Sequence, residues 1–264
     1  MTGQVAEVAG IRVPLGPHLS ETMRAKLVRG KYESREIRLV RSKLRPTDVV
    51  LELGAGLGVV SAICAGIVGS QNVFAVEANP SLEQPIRRLY AENLVSPHLE
   101  IGVLARDSGI AILHVAEDFW VSSTVAATVG AQDVQVPARA YAEVHRAVRP
   151  SFLIVDIEGA EVELARHMVL DSVRTIVIEL HPQLIGEAGC EQVIGQLGRS
   201  GFRVNEFLSR KHVIVLHHRW SRDHVGAQLA KLVARVKSFL PSSTRFSSAA
   251  ASASSGGRRR RSAG

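Results

Sequence analysis

The run Val49-Val50-Leu51-Glu52-Leu53, followed at once by Gly54-Ala55-Gly56-Leu57-Gly58 and then by the apolar stretch Val59 to Val68, restricts this chain more than any other feature. A short apolar run that ends in alternate glycines and continues as an apolar helix reads as strand, turn and helix. Glycine at such a turn admits backbone angles closed to other residues and lets a ligand approach the main chain. The unit therefore predicts an α/β fold with a ligand turn at the end of a parallel strand.

The rest of the chain keeps that rhythm. Strands are expected at 72–76, 99–104, 152–155 and 173–180, with helices at 79–93, 160–169 and 191–199. The closing runs 202–207 and 213–216 are joined by residues 208–212. That link is too short for a parallel crossover, so the last two strands must be antiparallel. The expected fold is α/β and Rossmann-like, a mostly parallel seven-stranded sheet with a terminal antiparallel strand pair. Residues 1–47 read as an N-terminal helical cap, irregular over 2–17 and helical over 20–44 with a break at Gly30. Residues 48–217 form the main domain, and 107–140 interrupt it as an insertion, a hairpin over the site. Residues 218–242 read as an amphipathic basic helix, and the Ser, Ala, Gly and Arg of 243–264 as a disordered tail.

Charge sorts the partners. The formal net charge is +7, yet residues 218–264 carry +9 and residues 1–217 carry −2. The body is nearly neutral, which argues against nucleic acid as its partner. Tail-mediated binding to nucleic acid or an anionic membrane surface stays open as an alternative reading. No apolar stretch long enough for a transmembrane segment is present, and the first twenty residues lack a signal-peptide pattern. Cys64 and Cys190 have no partner at metal-ligand spacing and read as reduced thiols, so a cytoplasmic location is expected. Oligomeric state has no signature in the residues.

Two constellations carry chemistry. In the first, the spacing is Gly54-x-Gly56-x-Gly58, whereas a dinucleotide fingerprint needs its third glycine at position 59, which is Val59. Glu52 beside the turn would repel a pyrophosphate and suit a sulfonium and an amino group. Glu77 closes the next strand, where a carboxylate accepts hydrogen bonds from ribose hydroxyls. The pattern fits S-adenosylmethionine as cofactor. In the second, Asp156, Glu158 and Glu161 follow another apolar strand, and His181 follows the next. Glu161 is explained by a helix N-terminus. Asp156 and Glu158 point to function, and a neutral His181 imidazole or Asp156 would take a proton from an attacking hydroxyl. Asp156 and Glu158 are also oxygen donors for a divalent metal. No complete ligand set is visible, so metal independence is preferred and the metal question stays open.

These residues resemble the FkbM-type methyltransferases, of class I. The resemblance runs from about 30 to 208, through Tyr32-Glu33, Glu52 to Gly58, Glu77-Ala78-Asn79-Pro80, Ser122-Ser123, Asp156 to Glu161 and Glu179-Leu180-His181. It implies transfer of a methyl group to a hydroxyl, on a small-molecule acceptor such as a sugar, a glycosylated product or a polyketide. It also implies that Glu52, Gly54, Gly56 and Glu77 hold the cofactor, that Tyr32 and Glu33 cap it, and that Asp156, Glu158 and His181 face the acceptor. Many members carry aspartate where this chain has Glu52, and the basic tail lies outside the family pattern. A non-catalytic module binding S-adenosylmethionine or a nucleotide is the second alternative.

Overall fold

Seven strands form one sheet in the computed structural model of the chain, which describes residues 4–115 and 132–220. From one edge to the other they are β11 (Phe202–Val204), β12 (Val213–His218), β10 (Thr175–Glu179), β9 (Phe152–Val155), β3 (Val50–Leu53), β4 (Val73–Glu77) and β5 (His98–Ile101). The five from β10 to β5 are parallel, whereas β12 runs antiparallel to both β10 and β11. This strand order, with its antiparallel pair at one edge, is the Rossmann-like class I methyltransferase fold.

The alternation of side chains along each strand divides the core in two. Leu51, Leu53, Leu153, Val155, Ile176 and Ile178 face α5 (Tyr141–Val148), α6 (Glu161–Ala165) and α7 (Pro182–Arg199). Val50, Phe152, Ile154, Val177 and Val215 face α1 (Glu21–Val28), α2 (Ser34–Lys43), α3 (Val59–Val68) and α4 (Glu83–Glu92). With both faces covered, the strands carry near-continuous apolar runs, as buried parallel strands do. Helix α3 is buried on most sides and ends at Gly69 (φ 85°). On the approach to β3, Asp48 accepts hydrogen bonds from Arg174 and Ser151, which ties that approach to the starts of β9 and β10.

After β3 the chain builds towards β5 on one side, then returns to add β9 and β10 on the other. The direction of winding reverses between β3 and β9, and open α/β sheets bind ligands at the carboxyl ends of such a pair. Gly54 and Asp156 are the residues that leave those two strands.

Several local expectations change. The stretch 2–17, expected to be irregular, holds a hairpin of β1 (Val5–Val8) and β2 (Ile11–Pro14), turned at Ala9 (φ 52°) and Gly10 (φ 86°). Two successive left-handed residues are what a tight hairpin needs, and alanine in the first place hides the signal. The helix expected over 20–44 is two helices, α1 and α2, parted around Gly30 (φ 62°). That expected over 160–169 shortens to α6, and that over 191–199 begins at Pro182 with a kink at Gly186. Within 107–140, β7 (Gly109–Val115) pairs antiparallel with β8 (Gln132–Ala140), which also pairs with β6 (Val103–Ala105). Ser122-Ser123, the amphipathic segment after Trp220 and the tail lie outside the described residues. Among the described residues, no helix is long and apolar enough to cross a membrane.

Candidate active site at the carboxyl edge of the sheet

A cavity of about 690 Å³ opens over the carboxyl ends of β3, β4, β9 and β10. Its volume falls within the range of small-molecule sites, about 300–1,000 Å³. Gly54, Gly56 and Glu77 line one part, Tyr32 and Glu33 another, and Asp156, Glu158 and Glu179 a third. Ala111 and Leu113 of β7 also reach it.

The glycine turn is built by its neighbours. Gly54, Gly56 and Gly58 all have positive φ, at 85°, 56° and 79°. The Gly56 N–H donates to Glu77 Oε2 and the Asn79 N–H to Glu77 Oε1, each at 2.8 Å. Glu77 is thereby locked beneath the turn. Burial drives its pKa up to about 7 against the opposing pull of those N–H groups. Each of its oxygens keeps a lone pair for another donor. Tyr32 and Glu33 close over the turn just before α2. The Leu57 N–H donates to the Tyr32 hydroxyl at 3.3 Å, and a methyl group on Gly56 would stand 2.7 Å from that hydroxyl.

Two expected cofactor residues lie elsewhere. Glu52 alternates with Leu51 and Leu53 along β3, so its side chain points beneath α3 and does not line the cavity. It is 2% exposed, burial pushes its pKa up to about 8, and Oε2 has no hydrogen-bond partner. Gly58 packs against α4, where an added methyl would stand 2.8 Å from Ile86 and 3.0 Å from Tyr90.

The acidic wall departs further from expectation. His181 is not on the cavity surface but behind it, 6% exposed at the start of α7. Its Nδ1 donates to Glu161 Oε1 at 2.5 Å, and its Nε2 stands 3.4 Å from Asp156 Oδ1 and 3.3 Å from Glu158 Oε2. Burial alone favours the neutral ring, but the Glu161 hydrogen bond and the fields of Asp156 and Glu158 push its pKa up to about 9. A pKa of about 9 favours the protonated ring at neutral pH, which makes His181 a poorer base than the neutral imidazole expected from the sequence. Glu161 is 1% exposed and also accepts from the Gly159 N–H, so it is far more than a helix-dipole residue.

Asp156 has its pKa raised well above the ordinary carboxylate value by burial and the nearby Glu179, with His181 opposing. Glu158 is held at a left-handed backbone angle (φ 45°) just before Gly159. It lines the cavity, and burial lifts its pKa to about 7. Glu179 and Glu36, also on the wall, were not singled out as site residues from the sequence. Glu179 ends β10 on the same rim as Asp156, a position legible only once the strand register is known.

No family model matches the chain, and no curated protein matches it. Among solved structures it is similar to precorrin-6y C5,15-methyltransferase of Geobacter metallireducens GS-15, at 15% identity over 70% of this chain and 86% of that one, with a TM-score of 0.41. It is similar to M. jannaschii TYW2, solved in complex with AdoMet, at 14% identity over 82% and 85%, with a TM-score of 0.43. A methyltransferase from Pyrococcus furiosus is similar at 13% identity over 80% and 90%, again with a TM-score of 0.43.

Proposed function

We propose that the chain is an S-adenosylmethionine-dependent methyltransferase that methylates a hydroxyl of a small molecule, in the manner of the FkbM-type enzymes it resembles. The observation that carries this reading is one continuous cavity joining the Gly54–Gly56 turn and Glu77 to the carboxylates Asp156 and Glu158. S-adenosylmethionine, when bound, supplies a methyl group on a sulfonium whose departure needs no acid.

The residues fit that cofactor. The bare Gly56 main chain allows close approach, and Glu77 keeps acceptor sites for ribose hydroxyls. Burial raises the Glu33 pKa well above the ordinary carboxylate value, and its carboxyl offers a hydrogen-bond acceptor to an amino group. On the opposite wall, Glu158 accepts the acceptor's proton as the new oxygen–carbon bond forms and the carbon–sulfur bond breaks. A general base works best with a pKa near the operating pH, and Glu158 is tuned there. Orientation by the cavity supplies much of the remaining rate. A sugar, glycosylated or polyketide-type hydroxyl is the acceptor class this reading favours.

Calorimetric titration with S-adenosylmethionine, beside a Gly56→Arg variant, tests the cofactor assignment. Saturable binding that vanishes in the variant supports it, and absence of binding by the unaltered protein overturns it.

A further inference from the structure

We propose that His181, Asp156 and Glu179 form a site for a divalent transition-metal cation at the acidic end of the cavity, with Glu161 as its buried support. The proposal concerns metal binding alone and does not depend on the methyltransferase reading.

One ligand atom from each of the three residues lies within 4.8 Å of the other two. Distances around the imidazole are more telling. His181 Nε2 pairs with Asp156 Oδ1 at 3.4 Å and with Glu158 Oε2 at 3.3 Å. Ligands held about 2.0–2.2 Å from a common ion stand roughly 3.0–3.6 Å from one another. The separation of His181 Nε2 from Asp156 Oδ1 falls in that range.

The second observation is burial. The His181 side chain is only 7% exposed, and its Nε2 is aimed at the carboxylates. Asp156 Oδ1, opposite it, is shut off from solvent and has no hydrogen-bond partner among the described residues. A buried carboxylate oxygen left so costs free energy that a cation would return.

The third is orientation. The Nδ1 proton of His181 goes to Glu161, whose side chain is 0% exposed. Metal-binding histidines are held in this way, with the far ring nitrogen given to a carboxylate so that the near one points at the ion. An imidazole joined to carboxylates suits a first-row transition ion such as Mn²⁺ better than Mg²⁺, which prefers oxygen alone. Asp156 and Glu179 line the cavity, so the remaining coordination positions face its interior.

Mn²⁺ is the probe. The full chain, freed of metal with a chelator, is titrated with Mn²⁺ and followed by electron paramagnetic resonance without S-adenosylmethionine. One saturable site is expected, with nitrogen hyperfine coupling from the imidazole. His181→Ala should abolish that coupling and weaken binding by at least about 100-fold. Glu161→Gln should weaken it by about 10-fold, the usual effect of losing the support behind a histidine ligand. Glu179→Gln changes a half-buried residue, and with folding checked by circular dichroism it should also weaken binding at least 10-fold. No saturable Mn²⁺ binding below millimolar concentration overturns the proposal. So does a folded Glu179→Gln protein that binds Mn²⁺ as the parent does. The separate titration with S-adenosylmethionine reads the cofactor assignment, so failure of one is distinguishable from failure of the other.

Discussion

A methyl group placed on Gly54 would lie 1.7 Å from the carbonyl oxygen of Asp156. The first residue of the glycine turn and the first residue of the acidic wall are thus packed backbone against backbone where β3 and β9 diverge. The Asp156 N–H donates to the Leu53 carbonyl at 2.9 Å, which holds the two segments in register. The glycine serves this contact as much as any ligand.

Gly54→Ala should therefore disrupt the rim. A left-handed alanine costs about 1–2 kcal/mol, and forcing backbone apart adds about 1–3 kcal/mol. Denaturant unfolding should show the sum. Gly66→Ala is the matched control: it lies inside α3 with open space around its α-carbon, and should stabilise by about 0.5–1 kcal/mol. Equal effects at the two sites would rule out the packing argument.

Glu158→Gln keeps the shape of the cavity wall but removes a proton acceptor. Turnover on the true acceptor should fall about 10²–10⁴-fold, while S-adenosylmethionine affinity by calorimetry changes little. Full turnover would remove Glu158 from the mechanism.

Glu52 gives a pH signature. Burial holds its carboxyl protonated in the folded chain up to about pH 8, whereas the unfolded chain ionises it near 4.5. Between those values the folded state binds the extra proton, so stability falls as pH rises through that window. Glu52→Gln should flatten this slope and raise the melting temperature at pH 8 by at least about 3 °C, roughly 1 kcal/mol for a domain of this size. Cofactor affinity should stay unchanged, because Glu52 does not line the cavity. Lost affinity would return it to the site.

Asp48 has the opposite sign. Burial tends to raise its pKa, but hydrogen bonds from Arg174, Ser151 and the Arg45 N–H win and hold it below the ordinary value. The unfolded chain takes up this proton first as pH falls, so the stabilisation is present above the unfolded pKa and is lost as pH drops through the folded one. Asp48→Asn breaks a largely buried pair and should cost about 3–5 kcal/mol at neutral pH. Melting curves from pH 3 to 7 should show a smaller acid slope in the variant. An unchanged slope would mean that Asp48 does not set it.

The fold was legible because its signals are local. Apolar runs, turn glycines and the five-residue link 208–212 each act over a few residues, and together they predict a mostly parallel sheet that ends in an antiparallel pair. The hairpin 5–14 escaped because Ala9 takes a backbone angle that its side chain does not advertise. Helix α7 began early because its kink at Gly186 breaks the apolar period.

Composition and order along the chain determined a parallel α/β sheet, a glycine turn after its first parallel strand and carboxylates on its rim. Which way each carboxylate points was decided only by the tertiary structure. In a strand buried on both faces, the apolar run is continuous and gives no phase, so nothing local tells Glu52 to turn beneath α3. His181 and Glu161 lie twenty residues apart, and they meet because β10 packs beside β9 and brings α7 over α6. A histidine alone on a rim would be a neutral base. Held between a buried Glu161 and the carboxylates of Asp156 and Glu158, the same ring becomes an oriented group, because its protonation depends on neighbours that only the packed sheet supplies.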